Sequence, residues 1–113
     1  MLGKDKYARL VRNNVRIDIK QTMHGNKLAG FAINVAIIDG AKMHDVFRVD
    51  TAHGHLHMQR FWITHEPEIL QEKTKNNYKG DFGYWKGRVL REYEDYVKSY
   101  KKKSGGVKNE QRS

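Results

Sequence analysis

The sequence predicts an α+β protein: a four-stranded antiparallel meander packed against one or two C-terminal helices. Three observations carry this. Apolar residues alternate over two early segments, Val15–Lys20 and Phe31–Ile38. A hairpin signal follows at Asp39-Gly40. Beyond residue 83, aromatic and apolar residues recur at three- and four-residue spacings.

Each element has its own reason. Residues 4–12 read either as a short helix or as a strand leading into the next one. Val15, Ile17 and Ile19 alternate with Arg16, Asp18 and Lys20, the pattern of a half-buried strand. His24-Gly25-Asn26-Lys27 reads as a turn. Phe31, Ile33, Val35 and Ile37 alternate with Ala32, Asn34, Ala36 and Ile38, so both faces are apolar and the strand is central. Val46–Val49 starts a third strand, and Leu56–Trp62 returns as a fourth. Thr64 is expected to cap a short helix with Pro67 in its first turn and Ile69 and Leu70 as anchors. Asn76-Asn77, Gly80 and Gly83 break the chain. Asp81 is expected to cap a longer helix starting near residue 83. There Trp85, Val89, Tyr93, Tyr96 and Tyr100, widened by Leu90 and Val97, form one stripe that packs on the sheet. The other reading of this stripe is a stacking platform for bases.

The 113 residues fit one domain, expected over 1–103, with a flexible basic tail over 104–113. At 38% hydrophobic the core is small, and a homodimer that shares core surface fits that size. With no cysteine, disulfides and thiolate metal sites are excluded. No apolar stretch approaches the roughly 20 residues of a membrane span. Met1–Arg12 lacks the apolar core of a signal peptide. The expectation is a cytoplasmic protein. Net charge is +9, with +3 in residues 1–14 and +5 in residues 84–113. That balance attracts RNA or another polyanion, or an acidic protein partner. It equally serves solubility.

The sharpest chemical signal is Asp50-Thr51-Ala52-His53-Gly54-His55-Leu56-His57, which holds half of the chain's six histidines. If Ala52 and His53 form a two-residue turn, Asp50 faces His55 and Arg48 faces His57. Val49 then faces Leu56 and Phe47 faces Met58 on the opposite, apolar side. Val46 and Phe61 share the polar side. Ile33 and Ile37 join them unless an odd loop or a bulge turns them to the core.

Three chemistries use this cluster. In metal-independent RNA cleavage, one imidazole takes the ribose 2′-OH proton and another protonates the leaving 5′ oxygen. Arg48 stabilises the phosphorane, and Asp50 orients His55. No cofactor is needed. In metal binding, His53, His55, His57 and Asp50 offer ligands for Zn²⁺, Ni²⁺ or Fe²⁺, with Arg48 opposing the cation. In a structural role, His55 pairs with Asp50 and His57 stacks beside Arg48. A noncatalytic nucleic-acid or protein-binding module is the rival from another class.

Other residues carry weaker signals. His65-Glu66 lies near a strand-to-helix junction within reach of the hairpin. His24 and His44 sit at turn edges, where exposure accounts for them. Tyr78 and Tyr84 have no evident partner. Lys86, Arg88 and Arg91 form either a phosphate-binding or a solvated helix face. The chain has no phosphate-binding glycine loop, nucleophile elbow or zinc finger.

The run Phe47-Arg48-Val49-Asp50-Thr51-Ala52-His53, with His55 and His57 after it, resembles small TumE-like toxins of prokaryotic toxin–antitoxin modules. The likeness spans residues 44–62. It departs from the family pattern at Val49, where an aromatic is usual, and in its short loop. The resemblance implies an RNA-directed toxin with an antitoxin partner. Its residues to test are Arg48, Asp50, His53, His55 and His57.

Overall fold

Tight turns at asparagine and glycine give the molecule its topology. Asn13 and Asn14 both take positive φ, at 51° and 63°. Asparagine tolerates that region, and two such residues in a row make the turn that matches strand twist. Gly25 and Gly40 do the same at the next two turns, with φ of 63° and 62°.

The computed structural model describes residues 3–104, apart from the His53 side chain. Its elements are β1 (Lys4–Arg12), β2 (Val15–His24), β3 (Lys27–Asp39), β4 (Lys42–Asp50), β5 (Leu56–Arg60), β6 (Glu68–Gln71) and helix α1 (Lys79–Lys103). A 3-10 turn, Ala52–Gly54, joins β4 to β5. The six strands form one antiparallel sheet in chain order, so β1 and β6 are its edges. Apart from Ser104, the expected tail lies outside the described residues. Among the described residues, no helix is long and apolar enough to cross a membrane.

The α+β class holds, but the sheet has six strands where the sequence predicts four. Segment 4–12 resolves as β1, paired with β2 in an unbroken register from Lys4↔Met23 to Arg12↔Val15. The short helix expected after Thr64 is instead a loop and β6. Thr64 Oγ1 does accept the Glu66 N–H at 3.1 Å. Pro67 then pushes Glu66 toward extended backbone, and Ile69 pairs with His57. Strand pairing outweighs the local helix signal.

Helix α1 begins earlier than Asp81 predicts. Asn77 Oδ1 accepts the N–H groups of Lys79 at 3.1 Å and Leu28 at 3.2 Å, so one side chain starts the helix and ties it to β3. Asp81 instead lies in the first turn, bonded to Lys75 Nζ at 2.9 Å and to Gln71 Nε2 at 3.1 Å. Its charge there opposes the positive end of the helix dipole.

One sheet face packs against α1. Ile17, Ile19, Ile33, Val35, Phe47 and Val49 meet Trp85, Val89, Tyr96 and Val97. Phe47 stacks on Tyr96 with centroids 4.4 Å apart, and Trp62 stacks on the same ring at 5.9 Å. The aromatic stripe of the helix therefore packs. A register shift at Val35/Ala36 leaves Val46 outside the ladder, and Val46 and Phe47 are both buried. This bulge answers the question of side: Ile33 lies opposite Val49, within the core.

Tyr78 links the end of the core to the β4–β5 loop. It is buried, its N–H donates to Leu28 O at 2.8 Å, and its OH donates to Gly54 O at 3.4 Å. The same OH accepts the Lys75 N–H at 3.0 Å. Tyr78→Phe keeps the ring but removes the acceptor of the Lys75 N–H and one of the two side-chain donors to Gly54 O. It should lower stability by about 1–2 kcal/mol in urea unfolding. Tyr78→Ala should cost about 3–5 kcal/mol because it also opens a cavity. Equal losses for the two variants would contradict this role of the hydroxyl.

Candidate functional site on the open sheet face

Phe47 and Val49 point into the core, so their neighbours Arg48 and Asp50 point to the face that α1 leaves uncovered. His57 and Gln59 join them from β5. Arg48, Asp50 and His57 share the open face as predicted, but the predicted register does not hold, and Val46, expected on that face, is buried in the core past the bulge. Asp50 lies opposite His57, Arg48 opposite Gln59, Val49 opposite Met58, and Phe47 opposite Arg60. The pairing slips by two residues, and because strand period is two, each of these side chains keeps its face.

The cause lies in the loop. Ala52–Gly54 forms a 3-10 turn where a two-residue turn is expected, with Gly54 at φ 78°. Thr51 is anchored to β3, where its Oγ1 accepts the Phe31 N–H at 2.9 Å. A Cβ at Gly30 would lie 2.8 Å from that Oγ1, so glycine is needed beside it. On the far side, Thr74 Oγ1 donates to Gly54 O at 2.7 Å.

Asp50 is the buried centre of the site, only 6% exposed. Its Oδ1 accepts the Ala52 N–H at 3.0 Å and faces His57 Nε2 at 3.0 Å. Its Oδ2 lies 2.9 Å from Arg48 Nε. A carboxylate with partners on both oxygens is a framework group, since its lone pairs are already engaged.

His57 is held at both ring nitrogens. Nδ1 lies 2.9 Å from the carbonyl oxygen of His55, and Nε2 faces Asp50. A carbonyl oxygen only accepts, so Nδ1 carries a proton. His55 is half-buried, and its ring makes no hydrogen bond among the described residues. His53 has its backbone in the 3-10 turn, and its side chain lies outside the described residues.

Arg48 projects outward from this frame. Its side chain is 50% exposed, and its only ion pair among the described residues is through Nε to Asp50. Three adjoining hollows, of about 380, 360 and 260 Å³, all include Arg48 in their walls. The first runs toward Arg9, Asp18, Lys20 and Asn34, the second toward His57, Gln59 and Pro67, and the third toward Thr22 and Thr51. Arg48 is the wall they share.

The charges around it are mostly matched. Asp18 takes Arg9 Nε and Arg16 Nε, each at 2.7 Å. Burial alone would raise the Asp18 carboxyl, but the two guanidinium bonds hold it below its ordinary range. Lys20 lies 3.8 Å from Asp5. The face thus offers directed contacts rather than a uniform positive field.

The other predicted residues lie elsewhere. His65 is exposed, and its carbonyl accepts Gln59 Nε2 at 2.6 Å, so the segment reaches the hairpin through backbone. His24 is exposed, and His44 is half-buried, 3.6 Å from Asp39. Lys86, Arg88 and Arg91 belong to α1, across the sheet from Arg48. Arg88 bonds Glu92 at 3.1 Å and covers the Trp85 ring at 4.8 Å. Tyr96 donates to Glu92 at 3.0 Å, and burial first, then Glu92, pushes its hydroxyl above the ordinary range. Among the described residues, no group of three His, Asp or Glu side chains is placed to hold a metal ion.

Sequence reasoning missed the supports of the site: Thr51, Thr74, Tyr78 and Gln59. Thr51 and Gly54 sit inside the motif, yet their partners come from β3 and from the segment before α1.

Two predictions follow from this geometry. Asp50→Ala leaves His57 and the Ala52 N–H without their buried acceptor, and should destabilise by about 3 kcal/mol in urea unfolding. A loss under about 1 kcal/mol would contradict the framework role. Asp18 gives a pH test. Its folded carboxyl titrates below the ordinary 3.8, so its contribution is full above that value and fades as pH falls through the lowered one. The stability gap between wild type and Asp18→Asn should stay constant above about pH 5 and shrink in stronger acid. A gap that widens in acid would reverse the sign.

A sequence profile described as a domain of unknown function, DUF7718, matches residues 2–106, which takes in every strand, the hairpin and the helix. No curated protein and no solved structure matches the chain. The matched span covers far more than half of the 113 residues, so the chain belongs to the DUF7718 family.

Proposed function

We propose that the open sheet face binds single-stranded RNA through its phosphates, with Arg48 as the central contact. One observation carries the reading: a buried carboxylate holds Arg48 by Nε, while the half-exposed Arg48 side chain lines three adjoining hollows. A guanidinium presented this way offers a paired set of donors that matches two phosphate oxygens. Thr22, Asn34 and Gln59 in the same walls add uncharged polar contacts. The +9 net charge favours a polyanion over a neutral ligand.

Cleavage is the second reading, supported by His55 and His57 lying on the hairpin that carries Arg48, and by the resemblance to TumE-like toxins. An imidazole that moves a proton needs a ring nitrogen directed at substrate. Both nitrogens of His57 face protein acceptors, so His57 suits a positioning role in this arrangement. His55, without such ties, is the proton-transfer candidate. On this reading the protein is an RNA-directed endoribonuclease, and an acidic antitoxin is its expected partner.

The test is fluorescence anisotropy with a labelled oligouridine at several salt concentrations. Arg48→Ala should weaken binding about tenfold and lower the salt slope by about 0.7, the value for one single-strand phosphate contact. A control that replaces Lys101, Lys102 and Lys103 with alanine should keep its Arg48 dependence. Unchanged affinity in Arg48→Ala would overturn the reading. The same samples, run on a gel with EDTA present, separate the two readings. Cleavage lost in His55→Ala supports the nuclease, and intact RNA supports binding alone.

A further inference from the structure

We infer that strand β1 is a docking edge for an acidic, extended segment of another protein, which adds to the sheet as a further strand. The inference concerns the outer edge of β1 and the side chains on its α1 side, the sheet face opposite Arg48, and does not rest on the RNA reading.

β1 is the first strand in the sheet order, so among the described residues no strand lies beside its outer edge. All nine of its residues are exposed. Its register with β2 runs without a bulge, which leaves a regular row of backbone donors and acceptors. Such an edge accepts an added strand through main-chain hydrogen bonds, with pockets for alternate side chains supplying selectivity.

The side chains define what fits. Ala8 and Leu10 lie opposite the buried Ile19 and Ile17, so the even-numbered residues of β1 share the α1 side. In order these are Lys4, Lys6, Ala8, Leu10 and Arg12. Beside them a cleft of about 290 Å³ runs to Leu90 and Tyr93 of α1. Leu10 and Leu90 are still 47% and 38% exposed there. Apolar surface is thus flanked by cations. Lys4, Lys6 and Arg12 take part in no ion pair among the described residues, whereas Arg9 is held by Asp18 and Asp5 by Lys20.

This charge pattern selects the occupant. Lysines on an edge discourage self-association. Two-fold pairing of β1 with a second copy sets Lys4 opposite Arg12 when centred on Ala8. Centred on Arg9, it sets Lys6 opposite Arg12. Like charges meet in both. A strand with acidic residues facing Lys4, Lys6 and Arg12, and apolar ones facing Ala8 and Leu10, meets opposite charge and apolar surface together.

The probe is a synthetic peptide, Glu-Thr-Leu-Thr-Val-Thr-Glu-Thr-Glu, added to the full chain and followed by amide NMR shifts and anisotropy. The expected result is saturable binding with shifts concentrated in Lys4–Arg12. A matching peptide with Lys in place of Glu should bind at least about tenfold more weakly. The Lys6→Glu/Arg12→Glu protein should lose affinity to a similar degree, and Leu10→Glu should lose it further. These positions are exposed, and circular dichroism checks that the variants stay folded. Absence of saturable binding, equal binding of both peptides, or shifts centred away from β1 would overturn the inference. Displacement of the peptide by oligouridine with loss of the β1 shifts would also overturn it, because the edge cations would then belong to RNA.

Discussion

The site depends on one buried carboxylate. Asp50 gathers three groups from one hairpin: the guanidinium of Arg48, the imidazole of His57 and the N–H of Ala52. Each contact fixes something different. The Ala52 bond closes the loop, the His57 contact holds β5 against β4, and the Arg48 contact sets the direction of that guanidinium. A charge this buried is stable only with partners in place, so the three contacts stand or fall together.

The loop that makes this possible is held from outside the hairpin. Thr51 reaches β3, and Gly54 is held by Thr74 and Tyr78. Tyr78 also receives the start of α1 through its backbone bond to Leu28. The helix on one face is therefore tied to the site on the other by a short chain of hydrogen bonds.

Much of this was legible in the sequence, for a physical reason. Alternation over β2, β3 and β4 reports burial directly, and it places Arg48, Asp50 and His57 on one face whichever even register applies. What alternation cannot give is the pairing partner. The two-residue slip comes from a loop whose stability depends on Thr51–Phe31 and Thr74–Gly54, contacts between residues 20 apart. β6 was hidden because Thr64 and Pro67 give a strong local helix signal, while the strand forms through its pairing with Leu56, His57 and Met58. β1 was ambiguous because neither of its faces is buried. The start of α1 was misplaced because Asn77 serves two elements at once, a role that spacing along the chain does not reveal.

The central claim is that the Asp50-held Arg48 side chain is where RNA phosphate meets this protein. The most direct measurement is the side-chain NMR signal of the Arg48 Nε–H during titration with oligouridine. The account predicts that this signal shifts and saturates together with backbone amides of Ala32, Asn34 and Gln59. Shifts confined to Lys101–Lys103 and the rest of α1, with the Arg48 signal unmoved, would contradict it.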